Sequence, residues 1–463
     1  MAAEVDAKAG TIGPGLTKSR TGVFQRLRSH VLRRMGWGVA DQVVSSLTNF
    51  AVAIYVVHTL GAAQFGAFSL AYVTYGFALN ASRGLATDPL MVRFSGTDLP
   101  TWRRAVATCT GTAAIVGLAV GACVIVAAAV LNGTAGAAFL ALGLTLPGLM
   151  LQDSWRYSFF ALGRGSQAFL NDMIWGVTLL PTLVLLRRTG HADVFWFVLA
   201  WGATASVGAA VGPWQARVVP RLAGAWGWMW RHRDLGPRYL AEGTSSSIAG
   251  QLRTYGMGLI LGLAAVGYVQ ASTTLMGPMT ILFLGMSLVT LPEAARVLRR
   301  SPRHLPLFCI LLSGGLAAAA LAWGVVLLVA VPRGLGALLL GSVWRPTYPL
   351  VLPVILYVTG QAVSGGTGTG LHALGAARRS LRVAVLTSVI AIVCALTGAV
   401  VDGAIGTVSG MAVAAWIAVP ITWWEFRAAM RESGKVPDTG WFRSSLNGRH
   451  LKAPRLLRFH DRK

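Results

Sequence analysis

The chain has 463 residues, of which 54% are hydrophobic and only 12% charged, with a mean hydropathy of +0.61. Soluble domains carry ~25% charged residues, so this composition excludes an ordinary soluble enzyme or binding module. The formal net charge of +24 does not call for nucleic acid. That partner needs a folded basic domain with aromatic platforms, and the basic residues here sit in short segments between apolar runs.

Residues 1–34 form a basic tail with seven Lys and Arg and no apolar run of the signal-peptide kind. Twelve apolar stretches follow, at about 36–60, 66–92, 104–131, 135–162, 166–186, 193–217, 239–261, 266–294, 306–331, 347–373, 380–401 and 403–427. Each reaches the ~20 residues that a helix needs to cross a bilayer. A second basic tail, 429–463, closes the chain. The predicted fold class is an all-α integral membrane protein with 12 transmembrane helices.

Lys and Arg are retained on the cytoplasmic side of a membrane protein. With twelve spans, 33 of the 40 Lys and Arg fall in the tails and in loops on the same side. The opposite side holds only Arg187, Arg188, Arg333 and Arg345. Both termini are therefore predicted to be cytoplasmic, in a multi-pass protein of the inner (plasma) membrane. The positive charge serves topology and attracts anionic lipid. Cys109, Cys123, Cys309 and Cys394 all lie within spans at no metal-ligand spacing, and read as small apolar helix residues.

The widest basic loop, 218–238, carries Trp226, Trp228 and Trp230 beside Arg231 and Arg233. That mixture suits a linker lying at headgroup level. It separates residues 35–217 from 239–428, and these two segments resemble each other. Leu60-Gly61 and Gly66 recur as Leu261-Gly262 and Gly267, at an offset of 201. Asp41 aligns with Glu242 at that offset, and Ser45-Ser46 with Ser246-Ser247. Pro89 and Arg93 recur as Pro292 and Arg296, and Ala161-Leu162-Gly163 as Ala373-Leu374-Gly375. An ordered series with slowly growing offset marks an internal repeat. Six spans per repeat insert in the same orientation, so the expected architecture is two pseudo-symmetric six-helix lobes around a central cavity, related by an axis along the membrane normal.

A charge at mid-membrane costs ~2.5–3.5 kcal/mol or more unless it faces water or a partner. Arg83, Arg156 and Arg253 lie inside spans two, four and seven. They suit either a cationic cavity for phosphate or an acidic sugar, or structural pairing with Asp41, Asp153 or Glu242. Asp153 and Arg156 share a helix face and could pair directly. Asp41 and Glu242 suit gate or ion-coupling carboxylates, or caps and salt bridges at the cytoplasmic rim. Asn49 and Gln251, on spans one and seven, suit hydrogen bonds to a sugar or interhelical glue.

Enzyme signals are thin. There is no phosphate loop, no zinc-protease or nucleophile motif, and no long outer loop to house a catalytic site. Gly366-Thr367-Gly368-Thr369-Gly370 has no following Lys and reads as a closely packed helix break. Gly117/Gly121 and Gly208/Gly212 permit close helix approach. The pattern predicts a carrier that is not an enzyme and has no cofactor.

The runs HTLGAAQFGAFSLAY (58–72), QDSWRYSFFALGRGSQAFLNDMIWG (152–176) and LGLAAVGYVQAST (261–273) resemble polysaccharide-type flippases of the multidrug/oligosaccharidyl-lipid/polysaccharide (MOP) exporter superfamily. The resemblance covers roughly residues 35–428 and implies alternating access between two lobes. It implies a lipid-linked oligosaccharide substrate, with Arg83 and Arg253 at its pyrophosphate and membrane lipid around its tail. Glycosyltransferases and a polymerase of the same pathway are implied partners. Lipid II flippases of the superfamily usually have fourteen spans. Twelve therefore favour an exopolysaccharide, capsule or teichoic-type repeat unit. A cation-coupled drug antiporter of the same superfamily is the alternative.

Overall fold

The computed structural model describes residues 41–234, 236–330 and 334–433, the side chains of 236–247, 287, 288 and 330 apart. The N-terminal tail and the chain beyond 433 lie outside the described residues.

Helices occupy every predicted span. They are α1 (Asp41–Leu60), α2 (Ala62–Ser82, continuing below), α3 (Leu99–Leu131), α4 (Gly133–Leu162), α5 (Gly165–Arg188) and α6 (Val194–Ala216). After the linker come α7 (Gly236–Leu261), α8 (Leu263–Leu275 and, past Met276, Gly277–Arg300), α9 (Leu305–Ala330) and α10 (Trp344–Ala373). The last two, α11 and α12, share the stretch Ala377–Ser433, divided by non-helical backbone at Asp402 and Gly403. Nine helices among the described residues are long and apolar enough to cross a membrane, counting Ala377–Ser433 once. The other expected spans fall short by that measure for visible reasons. Gln64, Ser69, Thr74 and Asn80 stud α2, and α7 is rich in Gly, Ser and Thr.

Local chemistry sets the ends. Asp98 caps α3 by accepting the Thr101 N–H at 3.1 Å, and Asp193 caps α6 by accepting the Trp196 N–H at 3.2 Å. In α2 the ladder widens to a π-turn at Arg83–Thr87 before helix resumes over Asp88–Phe94. Pro89 has no N–H to return four residues back, and the Asp88 N–H reaches five residues back to the Arg83 carbonyl.

The repeat is visible in the backbone. Gly61 and Gly262 turn α1 into α2 and α7 into α8 with nearly the same angles, φ 76° and ψ 178° against φ 82° and ψ 176°. Gly163 and Gly375 end α4 and α10 in the left-handed region, where only glycine is unstrained. Among the first six helices α3 packs on α4, and α4 on α6. In the second set α9 packs on α10, and α10 on the stretch Ala377–Ser433, through Ala415 and Phe426 of α12.

The seam between the sets runs through α2 and α8. A Cβ on Gly66 would lie 1.9 Å from the Leu263 carbonyl oxygen, and one on Gly267 would lie 2.0 Å from that of Ala62. Ala62 and Leu263 are themselves repeat mates. Each glycine thus packs on the mate of the residue that its own mate touches, the reciprocity a twofold axis demands. At the same end Gly341 packs on His58, so both halves close together there.

One expected feature differs. The Gly366–Gly370 run does not break its helix; α10 continues through it. Gly366 lies against the Cys309 carbonyl and Gly370 against Phe426, where a Cβ would come within 2.3 Å and 2.5 Å. The glycines admit neighbours closely without releasing backbone hydrogen bonds.

Candidate functional site

Beyond the α2–α8 contact the halves flank a cavity of about 440 Å³, bounded by α1, α2, α6 and α8. A second space of about 190 Å³ opens beside it inside the first half and shares Gln42, Asn49, Tyr72 and Trp201 with it. A third, of about 450 Å³, shares Thr273, Thr280 and Leu284 and extends to Tyr357 and Gln361 on α10.

The second space holds the charges. Arg83 on α2 makes a bidentate pair with Asp153 on α4, at 3.0 Å and 2.7 Å, and stacks over the Tyr157 ring at 4.8 Å. Arg156 on α4 donates to Asp41 on α1 at 2.7 Å and 2.5 Å, and lies 3.3 Å from Asp172 on α5. The Gln152 amide donates to Asp172 at 2.8 Å and to Asn171 at 3.2 Å, and Asn171 donates to the Gly208 carbonyl and Gln215 at 2.9 Å. Gly208 and Gly212 of α6 leave the room this network needs: a Cβ on Gly212 would meet Trp155 at 2.2 Å.

Asp153 and Arg156 do not pair with each other. Both point off one face of α4, and each reaches an opposite charge on another helix, where a planar guanidinium can engage a carboxylate squarely. With every group ionised, three aspartates face two arginines. Asp41, Asp153 and Asp172 are all buried, and one Asp41 oxygen has no hydrogen-bond partner. Counted over the described residues, the fully ionised cluster would carry one uncompensated negative charge, which a low-dielectric site holds only against a proton or another cation. Among the described residues no group of three or more His, Cys, Asp or Glu is placed to hold a metal ion.

Trp201 walls this cluster from the central cavity. Its ring contacts Tyr75 at 4.8 Å, Tyr72 at 5.7 Å, Trp175 at 6.1 Å and Phe68 at 6.2 Å between centroids. Asn49 faces both spaces, and its side chain has no hydrogen-bond partner among the described residues.

Arg253 on α7 is partly buried with its guanidinium 6.0 Å from the ring centroid of Tyr357, which lines the third space. Among the described residues it has no carboxylate partner. Gln251 is partly buried two residues earlier and is not among the residues lining these spaces. The Glu242 side chain lies outside the described residues. The buried carboxylate at the other end of the second half is Glu425, which Arg379 and Arg382 clasp.

Of the predicted site residues, the structure thus brings Asp41, Arg83, Arg156 and Asn49 together and leaves Arg253 and Gln251 apart from them. Sequence reasoning missed Gln152, Asn171, Trp201 and Gln270 as site residues. The adjacent polar pairs Gln152-Asp153 and Asn171-Asp172 inside apolar spans were a readable signal. Trp201 and Gln270 offered none.

No family model matches the chain, and no curated protein matches it in sequence. Solved structures do match in fold. A multidrug resistance MATE family transporter of the MOP superfamily, in its inward-facing conformation, superposes with a TM-score of 0.65 at 14% identity, over 85% of this chain and 96% of that one. The chain has the fold of the MOP-superfamily transporters. The lipid II flippase MurJ, inward closed, matches with a TM-score of 0.64 at 12% identity, over 88% of this chain and 94% of that one. The outward-facing MATE family transporter matches less well, with a TM-score of 0.55 at 14% identity over 88% and 96%. This fold and its long apolar helices are those of a multi-pass membrane protein.

Proposed function

We propose that the protein is an alternating-access flippase for a polyprenyl-pyrophosphate-linked oligosaccharide, an exopolysaccharide, capsule or teichoic-type repeat unit. The observation that carries this reading is the joined cavity: sealed at the α1–α2 and α7–α8 turns, lined by hydrogen-bonding and aromatic side chains, with an arginine behind Tyr357 that has no carboxylate partner among the described residues. Arg253 is the best anchor for pyrophosphate, because no described carboxylate engages its guanidinium. Arg83 and Arg156 are committed to aspartates, so their part is to shape the first half.

The charge asymmetry of the loops places the sealed turns on the outer side and both termini in the cytoplasm of the inner membrane. The cavity then faces inward, in keeping with the better match to the inward-facing transporter. In this reading residues 35–217 and 239–428 rock as two lobes about the 218–238 linker, with 1–34 and 429–463 as cytoplasmic tails. Asp41, with Asp153 and Asp172, supplies the coupling or gating carboxylate, and Glu242 is its counterpart by repeat. Membrane lipid holds the substrate tail, and glycosyltransferases and a polymerase act before and after transport.

The test is glycan export in cells. Replacing Arg253 with Ala should reduce export of the glycan at least tenfold, with Arg253→Lys intermediate. Full export in a stably inserted Arg253→Ala variant would refute the pyrophosphate role. The excess carboxylate in the first half favours a second reading, a cation-coupled multidrug antiporter. Efflux of a cationic dye that Asp172→Asn abolishes, with glycan export independent of the gene, would put that reading first.

A further inference from the structure

We propose that the central cavity is a seat for an uncharged saccharide, which deepens the flippase reading and rests on it. None of the described residues lining the 440 Å³ space carries a charge. Instead it presents amides and hydroxyls, among them Asn49, Ser46 and Gln270, against the aromatic faces of Tyr72 and Trp201. Among the described residues the side-chain amides of Asn49 and Gln270 have no hydrogen-bond partner, and each offers both donors and an acceptor. A sugar needs that combination: mixed donors and acceptors for its hydroxyls, and flat apolar surface for its C–H faces.

An acidic sugar is disfavoured twice over. Its carboxylate would lose water without gaining a counter-charge, and it would lie one aromatic wall away from a cluster with three aspartates and two arginines. Arg253, which has no carboxylate partner among the described residues, stands on the far side, beyond Thr273 and Thr280 at Tyr357. The geometry therefore orients the substrate, with neutral sugar toward Trp201 and pyrophosphate toward Arg253.

Symmetry supports the placement. Ser69 and Gln270 are repeat mates, one turn past the Gly66 and Gly267 contacts, and both line the cavity. The paired helices part there, so the seat lies at the axis where alternating access would expose it to each side in turn.

Two amphiphiles of equal chain length, octyl maltoside and octyl glucuronide, test this on the full chain in lipid nanodiscs, with octanol as blank. The neutral glycoside should bind saturably and at least tenfold more tightly than the anionic one. Gln270→Arg, which places a cation in the cavity, should reverse that preference. Equal affinity, tighter binding of the glucuronide by the unmodified protein, or no saturable binding of either would overturn the neutral seat. Asn49→Ala with Gln270→Ala should weaken maltoside binding at least fivefold; unchanged binding would overturn their role in it. These readouts are independent of the Arg253→Ala export test: a gene-dependent exported glycan with no neutral preference sinks the seat and leaves the flippase reading standing.

Discussion

The α2–α8 contact is the proposed seal of the cavity, and Gly66→Ala tests it most directly. The added Cβ would lie 1.9 Å from the Leu263 carbonyl oxygen, where ordinary contact begins near 3.4 Å. The helices must therefore part locally by the difference, roughly 1.5 Å, or twist to avoid it. Overpacking of this kind costs ~1–3 kcal/mol. If the contact exists only while the outer side is closed, that cost shifts the closed–open balance by ~5–150-fold toward the outward-open state. Spin labels at His191 and Leu338 report the change. Both are exposed and lie at the sealed end, since Gln64 of α2 bonds the Val194 N–H at 2.9 Å and Gly341 packs on His58. The long-distance population should grow in Gly66→Ala, and likewise in Gly267→Ala. Gly76→Ala on the same helix, with nothing within 4 Å of its Cβ, should leave the distances unchanged. Unaltered distances in both seal variants, with intact folding, would refute the seal.

Other outcomes follow from the buried charges and the linker. Arg83→Ala strands Asp153 in a buried site and should cost ~3–5 kcal/mol, read as a lowered Tm. The double variant Arg83→Gln with Asp153→Asn should be less damaged than Arg83→Ala; equal damage would show that pairing is not what Arg83 supplies. Gly212→Val must displace Trp155 and with it the Gln152–Asn171 contact, so it should lower Tm by an amount equivalent to ~1–3 kcal/mol. At the linker, Trp228 and His232 pack against Phe94, with ring centroids 5.7 Å and 6.1 Å from it, while Arg93 pairs with Asp234 at 2.5 Å. Burial lowers the His232 pKa below its ordinary value of 6.5. The undocked histidine therefore protonates first as pH falls, so docking is fully favoured above about 6.5 and weakens below it. Limited proteolysis across 218–235 should accelerate at pH 5.5, and His232→Phe should remove that dependence.

How far the sequence carried the reading depends on the range of the forces involved. Hydropathy and the Lys/Arg pattern act segment by segment, so fold class, helix order and the helix-ending glycines were legible without contacts. The repeat was legible too, because Leu60-Gly61 and Leu261-Gly262 must satisfy the same backbone turn. The Gly366–Gly370 run was misread as a break because glycine's flexibility is local, while the neighbours that hold α10 straight, Cys309 and Phe426, are distant in the chain.

The candidate partners Asp41 and Asp153 were legible, but which arginine meets which was not. Arg83 finds Asp153 across 70 residues, and Arg156 finds Asp41 across 115, although the sequence offered Asp153 and Arg156 three positions apart. A bilayer makes every buried charge seek a partner, which the sequence alone establishes. Only the packing of α1, α2, α4 and α5 decides which partner is met, because a charge-assisted bond is made or lost within an ångström. That packing tied two of the three candidate arginines to aspartates and left Arg253, beside the third space, without a carboxylate partner among the described residues.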